Sequence, residues 1–468
     1  MISASVAEIA TAVEGKLTDG ADPADVVLGV ASDSRTGMAG RLFVALQGSQ
    51  FDGHDFGREA VANGAVVVLA SRPVEAPAII VDDVLLALGK LARHHLDRLP
   101  DMTVVAITGS VGKTTTKDLL AHLLSEAGPT VAPPGSFNNE LGLPMTVLTA
   151  DASTRFMVLE MGARAAGQIA YLCAVAPPNI GIELMVGSAH IGEFGGREAM
   201  ASAKAELVVA LPHDGVAVLN NDDDHVRAMS TQTSARMVTF GVTDAADVRA
   251  THVSVDRLDR ASFTLVVTEG QATVSLRLPG VHMVSNALAA AAAAWILGMP
   301  IDAVAQRLSV AEPSSRWRME TVERSDGVII INDTYNASPE SMQAALQSLN
   351  QIGQGRRTWA VLGEMKELGD DSVAEHDALG RLAARLNVQR LVVVGQQARP
   401  VHLAAQMEGG WGGASVLVSD VDAAIDLLMT ELAPGDVVLL KASRDVGLER
   451  AAQALYEDVD RRAVGDRQ

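Results

Sequence analysis

Residues 103–117 read TVVAITGSVGKTTTK, and this stretch decides the fold of the chain. Its first part, TVVAIT, is an unbroken run of apolar and β-branched residues, which predicts a fully buried strand. Its second part is a glycine-containing turn that leads into a helix-forming segment. In such a turn the backbone N–H groups can face phosphate oxygens, and the N-terminus of the helix adds a positive dipole end. The stretch therefore predicts a mostly parallel α/β domain with a phosphate-binding loop.

The residues of this loop have the chemistry that a nucleotide with magnesium requires. The ammonium of Lys113 can neutralise the β- and γ-phosphates, and the hydroxyl of Thr114 can bind the metal ion. The pattern departs from the full Walker motif, because Ile107 stands in the place of the first glycine. A short G-x-x-G-K-T match is common by chance, so the strand before it and the helix after it carry the prediction. We predict that the phosphates contact Gly109, Ser110, Val111, Gly112, Lys113, Thr114 and Thr115.

Strand-like and helical segments alternate on both sides of the loop, which predicts two further α/β domains. Upstream, LFVAL (42–46) and AVVVLA (65–70) are separated by amphipathic helical stretches. Downstream, after FMVLE, NIGIEL and VAVLN, the segments VIIIN, TWAVLG, RLVVVG, SVLV and VVLLK alternate with helices, which is typical of a doubly wound, Rossmann-like domain. The proline-containing segments 98–101 and 311–315 mark the boundaries. We predict three domains, over residues 1–100, 101–312 and 313–468.

The composition argues against several classes of protein. A net charge of −20 and the lack of a Lys/Arg cluster argue against nucleic acid as a partner. The N-terminus lacks the pattern of a signal peptide, and the Ala-rich run from Asn286 to Leu297 is too short to span a bilayer. The single cysteine, Cys173, excludes an internal disulfide, and it is more typical of a small buried hydrophobic residue than of a nucleophile. We expect a soluble cytoplasmic protein without stable membrane association.

Three residues downstream of the loop indicate metal chemistry only in combination with it. Glu160 ends the strand FMVLE, at the edge where α/β sheets bind ligands, although a surface Glu at a strand end would give the same pattern. His190 lies in the glycine-flanked segment GSAHIGEFGG, where a histidine is usually solvated or caps a helix. Lys204 lies on the helical run SAKAELVVA, where a lysine is ordinarily solvated. Each pattern is weak alone and gains meaning from the other two.

The chain resembles the Mur ligase family over essentially its whole length. The matching motifs are, in chain order, TGSVGKTTTK, FNNELGLP, EMGA, GSAHIGEFGG, AKAEL, GVHMVSNALAA, NDTYNASPESM, LGEMKELG and KASRDVGLER. The pair EMGA and NDTYNASP favours the member that joins D-alanyl-D-alanine to UDP-N-acetylmuramoyl-tripeptide. The resemblance implies an ATP-dependent, amide-bond-forming ligase of bacterial cell-wall synthesis that acts on these two substrates through an acyl-phosphate.

The family pattern also implies two magnesium ions. By resemblance, Thr114 and Glu160 bind the first ion beside Lys113, whereas His190 and Lys204 serve the second, with Lys204 present as its carbamate. An ordinary lysine has a pKa of about 10.4 and is a cation that repels Mg²⁺, whereas a carbamate presents two anionic oxygens. The resemblance therefore makes Lys113, Glu160, His190 and Lys204 the catalytic residues.

Further residues are assigned to the nucleotide by the same resemblance. Asn286 matches the residue on the adenine side, and Asp333 matches the carboxylate that contacts the ribose. Arg318, in RWRME, matches the arginine of the third domain that contacts a phosphate, and Arg316 is a close alternative for this role. Asn286 can also cap the start of the Ala-rich helix, and the two roles are compatible.

The remaining predicted contacts involve the UDP-linked substrate. The stretch SDSRTGMAGRLFVALQGSQFDGHDF resembles a UDP-binding module of this family, although the D-G-H within it is, as pure pattern, only a turn. The segment FNNELGLP matches one that faces the muramoyl-peptide. By resemblance, the substrate-binding residues are Ser34, Arg35, Asp52, His54, Asn138 and Asn139, with Glu140 next to them.

Three positions depart from the family pattern. Met185 stands where the family usually carries Asn, five residues before the motif histidine. Glu183 is a charged residue in an otherwise apolar strand, and Asn332 precedes Asp333 where many relatives carry a second Asp. The first two lie just upstream of His190, so they bear on the predicted second metal site.

Two other functions share part of this pattern. A ligase similar to folylpolyglutamate synthase shares the loop and the ligation chemistry, but the UDP-module motif and FNNELGLP argue against it. A nucleotide-dependent switch shares only the loop, and His190 with Lys204 argues against it because a switch needs no carbamate on a second metal. A self-contained active site makes a monomer the expected state. The third residue of the tripeptide, meso-diaminopimelate or lysine, is left open by the sequence.

Overall fold

Three main β-sheets follow one another along the chain in the computed structural model, which describes residues 1–48, 51–187, 194–312 and 314–465. Helices cover the faces of each sheet, and most neighbouring strands are parallel. This arrangement confirms the predicted α/β class. The sheets lie within residues 16–80, 103–279 and 320–441, whereas the domain boundaries at residues 100 and 312 stay predictions.

The N-terminal region is built from short elements. They are strands β1 (Ala4–Ser5), β2 (Lys16–Leu17), β3 (Val26–Val27), β4 (Gly29–Ala31), β5 (Arg41–Val44), β6 (Val67–Ala70) and β7 (Ala78–Ile80), and helices α1 (Val6–Ala12), α2 (Gly57–Ala62) and α3 (Val84–Asp97). The five-stranded sheet has the order β2-β7-β6-β5-β4 and is parallel except for β2, while β1 and β3 form a separate antiparallel pair. The Asp83 carboxylate caps α3 by accepting the N–H of Leu86.

The central region contains the longest sheet. Its strands are β8 (Thr103–Thr108), β9 (Thr130–Val131), β10 (Phe156–Glu160), β11 (Ile180–Glu183), β12 (Val216–Asn220), β13 (Arg236–Gly241), β14 (Val248–Val255), β15 (Arg260–Val267) and β16 (Gly270–Pro279). Its helices are α4 (Lys113–Ala127), α5 (Gly142–Val147), α6 (Gln168–Val175), α7 (Arg197–Val209), α8 (Asp224–Ala228), α9 (Met283–Ile296) and α10 (Ile301–Val310). The strand order is β16-β15-β14-β13-β12-β11-β8-β10-β9. The buried strand predicted from TVVAIT is β8, and it lies inside this sheet between β11 and β10.

An antiparallel meander extends the central sheet and was not predicted from the sequence. Strands β14, β15 and β16 pair antiparallel, while β14 joins the parallel part of the sheet through β13. Along β15 the side chains of Ala261, Phe263, Leu265 and Val267 are buried and the residues between them are not. This period of two in RASFTLVV is the sequence signal of a strand with one solvated face.

The third region has a mostly parallel sheet of six strands. Its elements are β17 (Glu320–Glu323), β18 (Ile329–Asn332), β19 (Thr358–Leu362), β20 (Arg390–Val394), β21 (Ala414–Val418) and β22 (Val437–Lys441), with α11 (Pro339–Ile352), α12 (Ser372–Arg385), α13 (Arg399–Met407), α14 (Val421–Glu431) and α15 (Glu449–Gly465). The strand order is β17-β18-β22-β19-β20-β21, and only β17 runs antiparallel. This sheet confirms the predicted doubly wound, Rossmann-like fold.

The two faces of the central sheet bury their side chains in different hydrophobic cores. Val104 and Ala106 of β8 belong to a core that also contains residues of the N-terminal sheet and of α3. Val105 and Ile107 face the other way, into a core that contains α4, α9 and much of the third region. Because successive residues of a strand alternate between faces, β8 contributes to both cores.

Three features that were expected from the composition can be compared with the structure. Cys173 is buried, as predicted, and its burial raises the pKa of the thiol to about 12. The Ala-rich run forms α9, in which the stretch from Ala287 to Ala294 is fully enclosed by protein. Among the described helices, none combines the length and the apolar character that crossing a bilayer requires.

Candidate active site

A cleft of about 680 Å³ opens between the central and third regions and holds most of the predicted site. The predicted residues that line it are Gly109, Ser110, Val111, Gly112, Lys113, Thr114, Thr115, Asn138, Asn139, Glu160, Lys204, Asn286, Arg318 and Asp333. Ser34, Arg35, Asp52 and His54 lie elsewhere, in the N-terminal region. The structure thus brings together the residues predicted for the nucleotide and its metal, and keeps the predicted UDP-module residues apart from them.

The phosphate loop contains two glycines in backbone conformations that other residues rarely adopt. Gly109 has φ of 144° and Gly112 has φ of 89°. Gly112 is also tightly enclosed, because a Cβ atom there would lie 2.4 Å from Oδ1 of Asn286. Helix α4 begins at Lys113, so its unpaired N–H groups open on the cleft directly after this turn.

Lys113 is folded back over the loop. Its Nζ donates to the carbonyl oxygens of Gly109 at 2.8 Å and Ser110 at 3.3 Å. Burial is the main cause that lowers the pKa of Lys113, and the nearby carboxylate of Glu160 opposes it. The described residues therefore give this ammonium carbonyl partners rather than a hydrogen-bonded anion, and phosphate oxygens can supply the stronger, charged partner.

Glu160 is a buried residue with a complete set of hydrogen bonds, so the interpretation of it as a surface strand-end Glu is wrong. Its side chain is 1% exposed. Oε2 accepts the hydroxyl of Thr114 at 2.7 Å, while Oε1 accepts Ser136 Oγ at 2.8 Å and Asn138 Nδ2 at 2.7 Å. One oxygen is thus shared with the phosphate loop, and the other is held by the loop that contains FNNELGLP.

Arg318 reaches from the third region into the phosphate loop. Its Nη2 donates to Oγ1 of Thr114 at 2.9 Å, and its guanidinium lies 4.2 Å from the ring centre of Tyr335, in a cation–π contact. Arg316 is exposed and does not line the cleft. Of the two arginines, Arg318 is therefore the one with access to a bound nucleotide.

Asp333 is held rigidly by Lys441, a residue for which the sequence predicted no role. Oδ2 of Asp333 accepts Lys441 Nζ at 2.5 Å, and Oδ1 accepts the N–H of Met319 at 3.1 Å. Lys441 also donates to the carbonyl of Asn336 at 2.9 Å. Burial lowers the pKa of Lys441, and the Asp333 carboxylate opposes this shift without cancelling it. The KASRDVGLER motif pointed to this segment, but only the folded chain brings Lys441 beside Asp333.

Asn286 lies within α9 and does not cap it, so the capping alternative is wrong. The N-cap position is His282, whose side chain makes no capping hydrogen bond. Oδ1 of Asn286 faces Gly112 of the phosphate loop and accepts the hydroxyl of Thr116 at 3.5 Å. Asn286 and Gly112 both line the cleft, so this amide lies beside the phosphate loop.

Lys204 is buried beside the unusual Glu183, so its interpretation as a solvated helix lysine is wrong. Lys204 is 4% exposed and Glu183 is fully buried. Both carboxylate oxygens of Glu183 lack a hydrogen-bond partner among the described residues. Burial, assisted by the charge of Lys113, lowers the pKa of Lys204 to about 7, and Glu183 opposes this shift. Burial raises the pKa of Glu183 well above its ordinary value, against the effect of Lys204.

The backbone after Glu183 is bonded to the phosphate loop through its main-chain groups, and the side chain of Met185 takes no part in these bonds. The Met185 carbonyl accepts the N–H of Ser110 at 2.9 Å. The N–H of Gly187 donates to the Ser110 hydroxyl at 2.9 Å, and the N–H of Val186 donates to Asp223 at 3.0 Å. Main-chain groups therefore hold this segment as far as Gly187, whatever residue occupies position 185.

We expect Glu183→Gln to stabilise the protein, and more so at pH 7 than at pH 4.5. Burial raises the folded-state pKa of Glu183 above the unfolded-state value of 4.5. The contribution of the neutral carboxyl to the free energy of unfolding is therefore fully present below pH 4.5, and it is lost as the pH rises through the folded-state pKa. Glutamine keeps the shape and cannot ionise. Urea unfolding of both proteins at the two pH values measures the difference, and a gain that is equal at both pH values, or larger at pH 4.5, would contradict it.

The second predicted metal site combines Lys204 with His190. His190 lies outside the described residues, so its role as a ligand stays a prediction. Within the part of the chain that the structure describes, no group of three or more His, Cys, Asp and Glu side chains is arranged to hold a metal ion. The first predicted site does not need such a group, because Mg²⁺ usually takes one or two protein ligands and completes its shell with phosphate oxygens and water.

Ser34 and Arg35, predicted for the UDP-linked substrate, differ in how firmly they are held. Ser34 is buried, donates to Glu59 at 3.2 Å, and accepts a bond on its carbonyl from Asn63 at 2.8 Å. Arg35 is exposed and forms a bidentate salt bridge with Asp33. Its hydrogen bonds lower the pKa of the Asp33 carboxyl to about 2. Ser34 is therefore part of the framework, and Arg35 is a solvated cation beside it.

Asp52 and His54 form a fixed turn that precedes α2. The N–H of Ser71 donates to Nε2 of His54 at 3.0 Å, so Nδ1 carries the proton and donates to Asp52 at 2.6 Å. Asp52 also accepts Arg72 at 3.1 Å. The backbone N–H and the side chain of His54 lower the pKa of Asp52 to about 2. Asp52 is thus an anion whose bonds hold the turn together.

Two ion pairs at the mouth of the cleft were not predicted. Arg164, after β10, pairs with Glu367 of the third region at 3.1 Å. Lys366 pairs with Asp445 at 2.8 Å. All four residues line the cleft. Exposed ion pairs of this kind contribute little to the free energy of unfolding. Their position at the entrance of the cleft therefore matters more than their strength.

Comparison with protein families gives three matches in chain order. The description "Mur ligase family, catalytic domain" matches residues 26–96, "Mur ligase middle domain" matches residues 107–294, and "Mur ligase, glutamate ligase domain" matches residues 317–444. The matched segments together cover well over half of the chain. Each segment contains one of the three main sheets or most of it.

Similar proteins and solved structures extend over nearly the whole chain. The UDP-N-acetylmuramoyl-tripeptide--D-alanyl-D-alanine ligase of Mycobacterium tuberculosis is 48% identical over 98% of both chains, and that of Escherichia coli is 35% identical over 98% of this chain and 99% of its own. A crystal structure of MurF from Acinetobacter baumannii has a TM-score of 0.88 at 32% identity, over 97% of this chain and 99% of that one. MurF ligase from Thermotoga maritima in complex with ADP has a TM-score of 0.80 at 32% identity, over 93% and 98%. With its sheets, its cleft and these relatives taken together, the chain belongs to the Mur ligase family.

Proposed function

We propose that the chain is an ATP-dependent ligase that joins D-alanyl-D-alanine to UDP-N-acetylmuramoyl-tripeptide and produces the UDP-linked pentapeptide precursor of peptidoglycan. The observation that carries this proposal is the bond from Arg318 of the third region to Thr114 of the phosphate loop. It joins both regions across one cleft, as a reaction between a nucleotide and a second substrate requires. Relatives of this name at 48% identity over 98% of the chain support the choice of substrates.

ATP is the nucleotide that the cleft accepts. The ADP complex of a MurF structure with the same fold supports this assignment. Lys113 and the N–H groups at the start of α4 bind the β- and γ-phosphates, and Arg318 adds a second cation from the third region. Asn286 lies at the adenine end, and Asp333, oriented by Lys441, accepts hydrogen bonds from the ribose hydroxyls.

The oxygens of Thr114 and Glu160 fit the first magnesium ion. They lie 2.7 Å apart, and the second oxygen of Glu160 is already held by Ser136 and Asn138, which keeps the carboxylate from turning away. A hydroxyl and a carboxylate are hard oxygen ligands of the kind that Mg²⁺ prefers. When bound, the ion neutralises charge between the γ-phosphate and the attacking carboxylate.

Lys204 fits the second magnesium ion as a carbamate, with His190 as its partner. A carbamate forms from the neutral amine and CO₂: the amine nitrogen bonds to the carbon, and a proton leaves the nitrogen. Burial lowers the pKa of Lys204 to about 7, so a large part of this side chain is neutral amine near neutral pH. An ordinary solvated lysine, with a pKa of about 10.4, has almost no neutral amine there.

The reaction proceeds in two displacements. In the first, the terminal carboxylate of the tripeptide attacks the γ-phosphorus of ATP, which forms the acyl-phosphate and releases ADP. In the second, the amine of D-alanyl-D-alanine attacks the acyl carbon, inorganic phosphate leaves, and the amine loses a proton to solvent. The charges of Lys113 and Arg318 stabilise the transferring phosphoryl group, and the rest of catalysis is positioning.

Water must be kept from the acyl-phosphate, because it would hydrolyse that intermediate. The third region covers the phosphate loop through Arg318, and the Arg164–Glu367 pair lies at the entrance. Both contacts join the central and third regions, so both help to keep the cleft covered while the intermediate is present. Because one chain supplies all these contacts, we infer that the active unit is a monomer.

The UDP part of the substrate is held by the N-terminal region. The Ser34–Arg35 segment and the Asp52–His54 turn both precede α2 in the chain, and Ser34 is bonded to Glu59 of that helix. Arg35 supplies a cation for the diphosphate. Asn139 and Glu140 line the cleft and face the muramoyl-peptide.

Incubation with ATP, Mg²⁺, D-alanyl-D-alanine and each of two UDP-tripeptides tests the function directly. Mass spectrometry should find a product that is heavier by one dipeptide less one water, with either the meso-diaminopimelate or the lysine substrate. ATP hydrolysis should require both the UDP-peptide and the dipeptide. ATP turnover without either substrate would instead favour a nucleotide-dependent switch, and turnover with a folate would favour the folylpolyglutamate-type ligase.

Arg318→Ala and Asp333→Ala should impair the use of ATP and leave binding of the UDP-tripeptide nearly unchanged. Both side chains lie in the third region beside the phosphate loop, away from the N-terminal region. Calorimetry with the UDP-tripeptide and kinetics at varied ATP concentration measure the two effects. Arg316→Ala, at an exposed arginine outside the cleft, is the matched control. A tenfold loss of affinity for the UDP-tripeptide in both variants would contradict this division of roles.

A further inference from the structure

Lys117 is a lysine of helix α4 that is almost completely enclosed by protein. It is 1% exposed, yet its ammonium has three partners. Nζ donates to the carbonyl oxygens of Pro133 at 2.5 Å and Gly135 at 3.0 Å, and it pairs with Asp118 at 2.7 Å. An ammonium has three N–H donors, so this group is fully satisfied and has none left for a substrate.

The carbonyls that Lys117 holds belong to the loop of residues 132–141, between β9 and α5. This loop has no regular secondary structure that would pair its carbonyls. Directly after the two carbonyls come Ser136 and Asn138, the two donors to Oε1 of Glu160. The loop is thus attached to α4 at one end and to the candidate metal ligand at the other.

Helix α4 carries both attachments. Lys117 lies one turn after Thr114, which bonds to the other oxygen of Glu160. The contacts therefore form a closed ring: helix α4, the loop, Glu160, and α4 again through Thr114. A displacement of the loop moves Ser136 and Asn138 away from Glu160, and the carboxylate then loses the bonds that orient it.

We propose that Lys117 is a positioning residue, whose ammonium fixes the loop of residues 132–141 against α4 and thereby sets the binding surface for the UDP-linked peptide. That last clause rests on the proposed function, whereas the attachment itself does not. A buried cation is costly unless it is paired and hydrogen-bonded, and Lys117 meets both conditions. An apolar residue would serve packing alone, so the charge is accounted for by the carbonyls that it holds.

The partner of Lys117 extends this attachment toward the third region. Asp118 uses one oxygen for Lys117 and accepts the hydroxyl of Ser315 on the other at 2.6 Å. Ser315 lies in the segment that leads from α10 to β17. The Lys117–Asp118 pair therefore contacts both the loop on the substrate side and the connection between the two regions that form the cleft.

Cleavage by chymotrypsin after Phe137 tests the attachment in the ligand-free protein. Phe137 lies in the middle of the loop with 48% of its surface exposed, and cleavage requires the loop to leave its place. Lys117→Met keeps the length of the side chain and removes the charge and the donors. Because hydrogen bonds to charged groups are the stronger class, we expect cleavage after Phe137 to accelerate about tenfold or more.

A control cleavage site and a control variant show whether the effect is specific to the loop. Phe51 is 70% exposed in the N-terminal region, and its cleavage rate should stay unchanged. Lys441→Met removes an equally buried ammonium from the third region and should leave cleavage at Phe137 as it is in the unchanged protein. An unchanged rate at Phe137 in Lys117→Met overturns the proposal. Equal acceleration at both sites also overturns it, since Lys117 would then be an ordinary core contact.

The kinetic consequence is a separate measurement. In Lys117→Met the KM for the UDP-tripeptide should rise about tenfold, on the same energetic grounds, while affinity for ADP without metal stays unchanged. Lys117→Arg keeps a cation and should recover protection of Phe137. If Lys117→Met does not fold, Lys117→Gln replaces it in both assays. If cleavage at Phe137 accelerates in Lys117→Met but the unchanged protein binds no UDP-tripeptide, the proposal that Lys117 attaches the loop still stands. That result rejects the proposed substrate instead.

Discussion

Lys113→Ala should abolish ligation while leaving the fold intact. The ammonium of Lys113 lies over the phosphate loop, bonded to two of its carbonyls, where it can turn to the β- and γ-phosphates. Electrostatic groups placed in this way typically supply about 3–4 kcal/mol of barrier reduction, which is roughly a hundred- to a thousandfold in rate. Steady-state turnover with all three substrates measures the effect.

Lys90→Ala is the matched control for this experiment. Lys90 is exposed, lies outside the cleft and pairs with Glu14 on the N-terminal surface. Its substitution removes one positive charge from the protein without touching the site, so turnover should stay near normal. A folded Lys113→Ala protein that also kept near-normal turnover would show that the phosphates are bound elsewhere.

On the hypothesis that Lys204 is a carbamate, Lys204→Ala should lose most activity, because it would remove an anionic metal ligand. The carbamate hypothesis rests on the burial of Lys204, which lowers its pKa to about 7 and leaves much of the side chain as the neutral amine that reacts with CO₂. Alanine leaves space where the carbamate oxygens would be. Formate or acetate can enter that space and supply the missing oxygens.

A rescue titration with these short carboxylates separates the roles of the two lysines. Activity of Lys204→Ala should rise with formate concentration, whereas Lys113→Ala should not respond, because an anion cannot replace its cation. Since Lys204 is buried, the melting temperature of each variant is measured alongside. Full activity of Lys204→Ala without any carboxylate would refute the hypothesis.

The parts of the fold that were predictable are those with continuous local patterns. TVVAIT is a run of apolar and β-branched residues, FMVLE is apolar up to its final Glu160, and both are interior strands of the central sheet. The meander formed by β14, β15 and β16 escaped prediction because its strands alternate between buried and solvated residues. Its β15 starts with Arg260 and has the polar residues Ser262 and Thr264 between apolar ones, which weakens any search for apolar runs.

The candidate site was predictable where residue type and motif carried the assignment. The loop, Glu160, Arg318 and Asp333 all line one cleft, as the resemblance implied. What the sequence could not show is which side chains hold these residues in place. The pairing of Asp333 with Lys441 and the bond from Ser136 to Glu160 join positions far apart in the chain, and no local pattern encodes such contacts.

Burial was the other property that local pattern concealed. Lys204 occupies a helix, where a lysine is ordinarily solvated, and Glu183 stands as a charged residue in an otherwise apolar strand. In the fold both are enclosed, and burial shifts the pKa of each toward its neutral form, against their mutual attraction. A charged residue in an apolar strand was a visible anomaly, but its partner could be identified only in three dimensions.

The core shared by the N-terminal and central regions limits how such a protein can be rebuilt by recombination. Leu88 and Leu91 of α3 belong to the same hydrophobic core as Leu143 of α5 and Leu172 of α6. A chain cut at residue 100 would expose this apolar surface on both halves. The N-terminal region is therefore not an independent unit, and a transplant that keeps its solubility has to carry the facing surface of α5 and α6 with it.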